Sequence, residues 1–149
     1  MEQTFDLTLI WAGIIGFGIM MYVLMDGFDL GQGILYPFAP DEKARDKMMN
    51  SVAPVWDGNE TWLVLGGAGL LAAFPLVYSI FLPALYIGVF LLLAGLIFRG
   101  VAFEFRFKAK TSKYLWSWSF SVGSFVASFA QGAVVGAYIQ GFETEGFAY

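Results

Sequence analysis

The sequence predicts an all-α, polytopic integral membrane protein whose four transmembrane helices form one antiparallel bundle. Three observations carry this. Only 13% of the 149 residues are charged, about half the ~25% of a soluble domain. The charges are clumped, leaving uncharged runs at 7–25, 61–98 and 114–142. A mean hydropathy of +0.68 would also leave a soluble fold of this size with a largely apolar surface.

About 20 apolar residues cross a bilayer as a helix. The first run therefore makes one span, which continues past Asp26 to about 7–35, because Pro37 disfavours helix at Tyr36. Six charges between Asp41 and Lys47 then read as a compact loop in water. The 38-residue run is too long for one helix and reads as a hairpin of two. Pro75 and Pro83 bracket the expected turn, so span two covers about 51–76, with Pro54 in its first turn, and span three about 80–98. A charged stretch from Arg99 to Lys113 leads to span four at about 114–142.

All 8 bases fall between spans one and two or between spans three and four. The positive-inside rule makes both basic loops cytoplasmic and both termini periplasmic or exterior. Glu2 and Asp6 stand where a secretory signal needs positive charge, so the start does not read as one.

Several chemistries are missing. There is no Cys and no His, which removes disulfides, thiolate metal sites, the usual haem ligand and the default acid–base residue. No nucleophile–base pair, metal-ligand spacing or phosphate loop is present, so no catalytic, cofactor-binding or metal residue is assigned. A net charge of −4 without a basic patch gives no support for nucleic-acid binding. Membrane lipid is the expected surroundings.

Small residues mark close packing. Ser124, Ser128, Gly132 and Gly136 recur every four residues in span four, a stripe that admits another helix. Gly27 and Gly31 make a similar step in span one, and Gly66, Gly67 and Gly69 thin span two. Packing inside the chain's own bundle and contact with a partner subunit both fit. Gln131 is expected to hydrogen-bond across the bundle. Trp56, Trp62, Trp116 and Trp118 read as interfacial residues.

Candidate chemistry lies in acids beside the apolar runs, where ionisable groups are costly and kept for a reason. Asp26 and Asp29 are spaced i, i+3 on one helix face, and Asp57 and Glu60 repeat that spacing at the start of span two. Arg99 closes span three. The topology brings all five to the cytoplasmic membrane end, as a vestibule able to lead protons inward. Asp57 and Glu60 also fit helix capping. Asp26 and Asp29 sit near a helix C-terminus, where capping does not apply, and an ion pair with Arg99 is the structural alternative to proton conduction. Glu104 is expected to pair with a nearby base.

The strings DGFDLGQGIL at 26–35, NSVAPVWDGNETWLVLGGAGLLAAFP at 50–75 and FRGVAFEFR at 98–106 resemble subunit II of the cytochrome bd quinol oxidases. Glu60 and LVLGG look like the cyanide-insensitive branch. The resemblance runs from about residue 7 to the end and covers the first of that subunit's two four-helix bundles. It implies a haem-free subunit of a respiratory oxidase that couples quinol oxidation to reduction of O₂ to water in a bacterial cytoplasmic (inner) membrane. The b-type and d-type haems and the quinol site belong by that resemblance to subunit I, the partner. It leaves room for a small accessory single-span subunit. Asp57 matches the family's proposed proton-path acid, Asp26 and Asp29 the DGFD acids, and Arg99 the FR motif. Trp56 and the Ser124–Gly136 stripe are candidates for the subunit interface, and the GGAGLLAA stretch for an O₂ route. The competing class is a small four-helix proton-coupled transporter or channel subunit.

Overall fold

The structure, a computed structural model, describes residues 6–141. Its regular elements are all helical: α1 (Leu7–Leu35), a 3-10 turn (Tyr36–Phe38), α2 (Glu42–Val52), α3 (Trp56–Ala73), α4 (Pro75–Phe105) and α5 (Lys113–Gln140). The last residue of the expected fourth span, Phe142, and both chain ends lie outside the described residues.

Helix α1 starts where the Asp6 carboxylate accepts from the Thr8 amide at 3.0 Å and gives way to the 3-10 turn at Tyr36–Pro37. The charged stretch after it is not a loop but helix α2. Asp41 caps it by accepting from the Ala44 amide at 2.7 Å, as an N-cap acid does. Its apolar side buries Met49 and Val52 completely, so charge in the sequence hid an amphipathic helix. Ser51 belongs to the end of α2 rather than to the start of the next helix. Pro54 has no N–H to continue the ladder, and the chain restarts at Trp56.

The turn expected between Pro75 and Pro83 is much tighter. The chain reverses at Phe74 (φ −134°, ψ 61°), and Pro75 is already the first residue of α4. A fixed φ and a missing N–H suit proline to that first position. Pro83 stays inside α4, as proline in an apolar helix is able to do. Arg99 therefore lies within a 31-residue helix rather than at its end.

Among the described residues, three helices are long and apolar enough to cross a membrane: Leu7–Phe38, Pro75–Phe105 and Lys113–Gln140. Helix α3 has 18 residues and opens on WDGNE, which lowers its apolar content. α4 packs along α5, α1 sits between α3 and α5, and α3 meets α4. Successive members of this ring run in opposite directions, since the end of α1 meets the start of α3 and the end of α4.

The crossing of α4 and α5 is backbone against backbone. A methyl on Gly95 would stand 2.7 Å from the Gly123 carbonyl, and one on Gly123 would stand 2.6 Å from the Gly95 carbonyl. Leu30, Leu92, Leu96, Ala127 and Ala130 fill the bundle beside it. A second core of Tyr36, Met49, Val52, Ala102, Phe103 and Phe120 seals the end that α2 covers.

Candidate functional site

Arg99 projects from α4 into that end of the bundle and is fully buried. Its Nη1 donates to Asp26 Oδ1 and to Glu60 Oε1, both at 2.9 Å. Its Nη2 lies 3.5 Å from Asp29 Oδ2. Asn59 Nδ2 donates to the same Asp29 oxygen at 2.8 Å. The i, i+3 spacing on α1 aims both aspartates inward, and both are fully buried. The Arg99 guanidinium also lies 5.9 Å from the centre of the Phe103 ring.

Three carboxylates around one guanidinium leave acids in excess at a place where Glu60 alone of the four meets solvent. Moving a single ion there costs several kcal/mol. Asp26 Oδ2, Asp29 Oδ1, Arg99 Nε and Arg99 Nη2 are buried without a hydrogen-bond partner among the described residues. Such a cluster is lowered in energy by a shared proton or by internal water. Glu60 differs from its neighbours because its side chain is 19% exposed. It opens on a groove of about 450 Å³ between α3 and α4, lined by Trp56, Leu63, Leu96, Gly100 and Glu104.

The expected meeting of four carboxylates is therefore a meeting of three. Asp57 stands in the first turn of α3, exposed, and does not reach Arg99. The start of α3 has no side-chain cap, so neither Asp57 nor Glu60 serves as one. Asn59, which sequence reasoning missed, is buried and steadies Asp29.

A second buried arginine was legible only as a loop base. Arg106 Nη2 donates to Glu42 Oε1 at 2.6 Å, Nη1 to Asp46 Oδ1 at 2.7 Å, and Nε to Ser117 Oγ at 2.9 Å. Lys113 reaches the same two acids at 2.7 and 3.4 Å. The signal was the seven-residue step from Arg99, two helical turns on one face. Partial burial raises the Asp46 carboxyl, but the Arg106 hydrogen bond and charge, with Lys113, outweigh it and hold the group below the ordinary carboxylate range.

The interface candidates separate. Trp56 stacks on Phe103 with centroids 5.1 Å apart and covers Gly100. Ser124 is buried against Gly33, where α1 and α5 nearly touch, and Ser128 is half-buried. Gly132 and Gly136 are exposed with open space beside them, as is Gly27. Gly66 and Gly69 receive Ile19 and Ile15 of α1. Trp62 meets Phe17 edge-on and Trp116 stacks on Phe105. The Gln131 side chain makes no hydrogen bond among the described residues, and Glu104 pairs with Lys108 at 2.8 Å.

The family model for cytochrome bd terminal oxidase subunit II matches residues 7–149. The cytochrome bd-I ubiquinol oxidase subunit 2 of Escherichia coli K12 is 38% identical over 138 residues, 91% of this chain and 36% of the relative. A probable cytochrome oxidase subunit 2 of Haemophilus influenzae is 36% identical over the same length. The cytochrome bd ubiquinol oxidase subunit 2 of Bacillus subtilis is 34% identical over 144 residues, 95% of this chain and 42% of the relative. The chain thus spans well under half the length of the relatives it matches. With its long apolar helices and a match over nearly its whole length, it belongs to the cytochrome bd terminal oxidase subunit II family.

Proposed function

We propose that this chain is the first four-helix bundle of a haem-free subunit II of a cytochrome bd-type oxidase, in the cyanide-insensitive-like branch. Helix α3 is then the second of four membrane passes. The basic ends face the cytoplasm of a bacterial inner membrane, and the bundle scaffolds a haem-bearing subunit I. The complex oxidises quinol and reduces O₂ to water, with the haems and quinol held by the partner. The lack of His and Cys in this chain supports that division, since the usual haem ligands are missing here.

The chain's own contribution is a cytoplasmic proton-uptake path. Asp57, exposed in the first turn of α3, collects a proton. Glu60 takes it inward, and Asp26 and Asp29 receive it beside Arg99. One observation supports this most: Glu60 touches both the groove and the buried arginine. Gly132 and Gly136 offer an open small face for the partner's helix.

The experiment is gentle detergent extraction of the tagged chain, followed by a reduced-minus-oxidised spectrum. A larger co-purifying chain with haem bands is expected. A colourless chain without a partner would overturn the subunit reading, and proton flux in liposomes would then test the transporter alternative. In the complex, Glu60→Gln is expected to lower turnover on the order of 100-fold with the haem spectrum retained, and Asp57→Asn to lower it less. Unchanged turnover in both would leave a scaffold without a proton role.

A further inference from the structure

A second concave site lies between α2 and the start of α5, apart from the Glu60 groove. It is a cleft of about 300 Å³ whose wall includes Arg45, Lys113, Tyr114, Ser117 and Trp118. Around it three cations share two acids: Arg106, Lys113 and Arg45 face Glu42 and Asp46. Glu42 also lines the cleft, but it is already engaged by Arg106 at 2.6 Å and Lys113 at 2.7 Å. Arg45 is the poorly satisfied member. Its contacts are long, 3.7 Å to Glu42 and 3.5 Å to the Pro37 carbonyl, and its buried Nε has no partner. The cleft therefore has a cation to spare.

Trp118 is also a wall of a second hollow. That one is an apolar groove of about 500 Å³ between α4 and α5, with Leu91, Phe98, Val122 and Val126 among its lining. The exposed apolar residues Tyr114, Leu115, Val122 and Phe125 lie around α5 between the two. A charged mouth at the helix start and an apolar groove further along the membrane helix share one indole. That order matches a molecule with an anionic head and a hydrocarbon tail.

We propose that the site takes an anionic phospholipid, its phosphate against Arg45 and Lys113 and an acyl chain past Trp118 into the α4–α5 groove. The proposal rests on the membrane placement of α4 and α5 and on nothing in the oxidase or proton-path reading. A bound lipid would tie α2 to α5 from outside, as the Arg106 cluster does from inside.

The test is quenching of Trp118 fluorescence by lipids brominated on the acyl chain, with the full chain and any chains that purify with it reconstituted in vesicles. The Trp118 signal is the difference between the protein and its Trp118→Phe variant. Brominated phosphatidylglycerol is expected to quench it at about fivefold lower lipid fraction than brominated phosphatidylcholine, near the attraction of one cation for an anionic lipid. Arg45→Gln removes that preference, while Lys47→Gln, on the exposed face of α2, keeps it. Equal quenching by the two lipids overturns the proposal. So does an equal loss in Lys47→Gln, which means diffuse surface charge, or displacement by inorganic phosphate, which means a free-anion site. If Arg45→Gln loses its helical circular dichroism, Lys113→Gln replaces it, and the comparison of the two lipids on the unaltered protein still decides. No haem or quinol enters the assay, so its failure is separate from failure of the oxidase reading.

Discussion

Arg99 in α4 and Arg106, which caps the end of that helix, sit seven residues apart, both fully buried and both held by carboxylates. Their surroundings are opposite. Arg99 is outnumbered by acids, two of them with no exposure at all. Arg106 is joined by Lys113 and Arg45 around two acids whose side chains are 50% and 37% exposed. The first cluster is anionic and dry, the second cationic and wet. Arginine chemistry is the same in both, so the partners decide the role. An anionic dry cluster has room for protons, and a cationic wet one fastens a surface helix and has room for an anion.

The largest expected effect comes from taking the guanidinium out of the dry cluster. Arg99→Met strands three carboxylates and is expected to cost about 3–5 kcal/mol, as removal of one partner from a buried ion pair does. Thermal unfolding followed by size exclusion in mild detergent measures it. Arg106→Met leaves acids that water reaches and is expected to cost roughly 1–3 kcal/mol. Equal losses would erase the distinction between the clusters. Asp26→Asn removes an acid from an excess of acids, so it costs less than Arg99→Met. In the double variant it recovers part of the loss, a coupling that a double-mutant cycle reads directly.

Both clusters show where the sequence is legible and where it is not. Charge clumping and apolar runs located α1, α4 and α5, because water and lipid impose those patterns residue by residue. The DGFD spacing placed Asp26 and Asp29 on one face, since helix periodicity is local. Helix α2 was hidden because six charges in seven residues say "water" before Met49 and Val52 say "helix". The reversal at Phe74 was hidden because proline starts a helix as readily as it ends one, and only packing against α5 decides how far α4 runs. Asp57 and Glu60 looked alike by spacing. Their fates separate because Glu60 lies nearly one turn further along α3, at the level of Arg99, while Asp57 stays exposed in the first turn.

High salt is expected to loosen the wet cluster and to leave the dry one paired, because water and ions reach the acids of the first, whereas Asp26 and Asp29 have no exposure. At about 1 M salt the screening length falls to ~3 Å, which weakens contacts between Arg106, Lys113 and the exposed acids of α2. Acid acts in the same direction. The Asp46 carboxyl is held below its ordinary range in the folded chain, so its contribution is fully present above the pKa it has when unfolded. It is lost as pH falls through the lower folded value. A fluorophore on Asn50→Cys, an exposed position of α2, should report release of that helix at high salt or below about pH 4, with α1 and α4 still paired. Release of α2 that ignores salt would show that Met49 and Val52, not charge, hold it.

The smallest effect is expected at a third charge pair, Glu104 of α4 with Lys108 just beyond its end, which differs from the two clusters in being largely in solvent. The pair is short at 2.8 Å, yet its side chains are 69% and 74% exposed. Exposed pairs gain little, because two long side chains must be ordered against water and salt. Lys108→Ala should therefore leave the unfolding temperature of the purified chain unchanged. Glu104 also lines the groove that leads to Glu60, which gives the same substitution a second use. If a partner subunit covers that groove, the pair loses its water in the complex and Lys108→Ala destabilises the complex while sparing the chain alone. A shift in both would mean that this surface is already covered in the chain by itself, and the contrast between dry and wet charge along α4 would have to be redrawn.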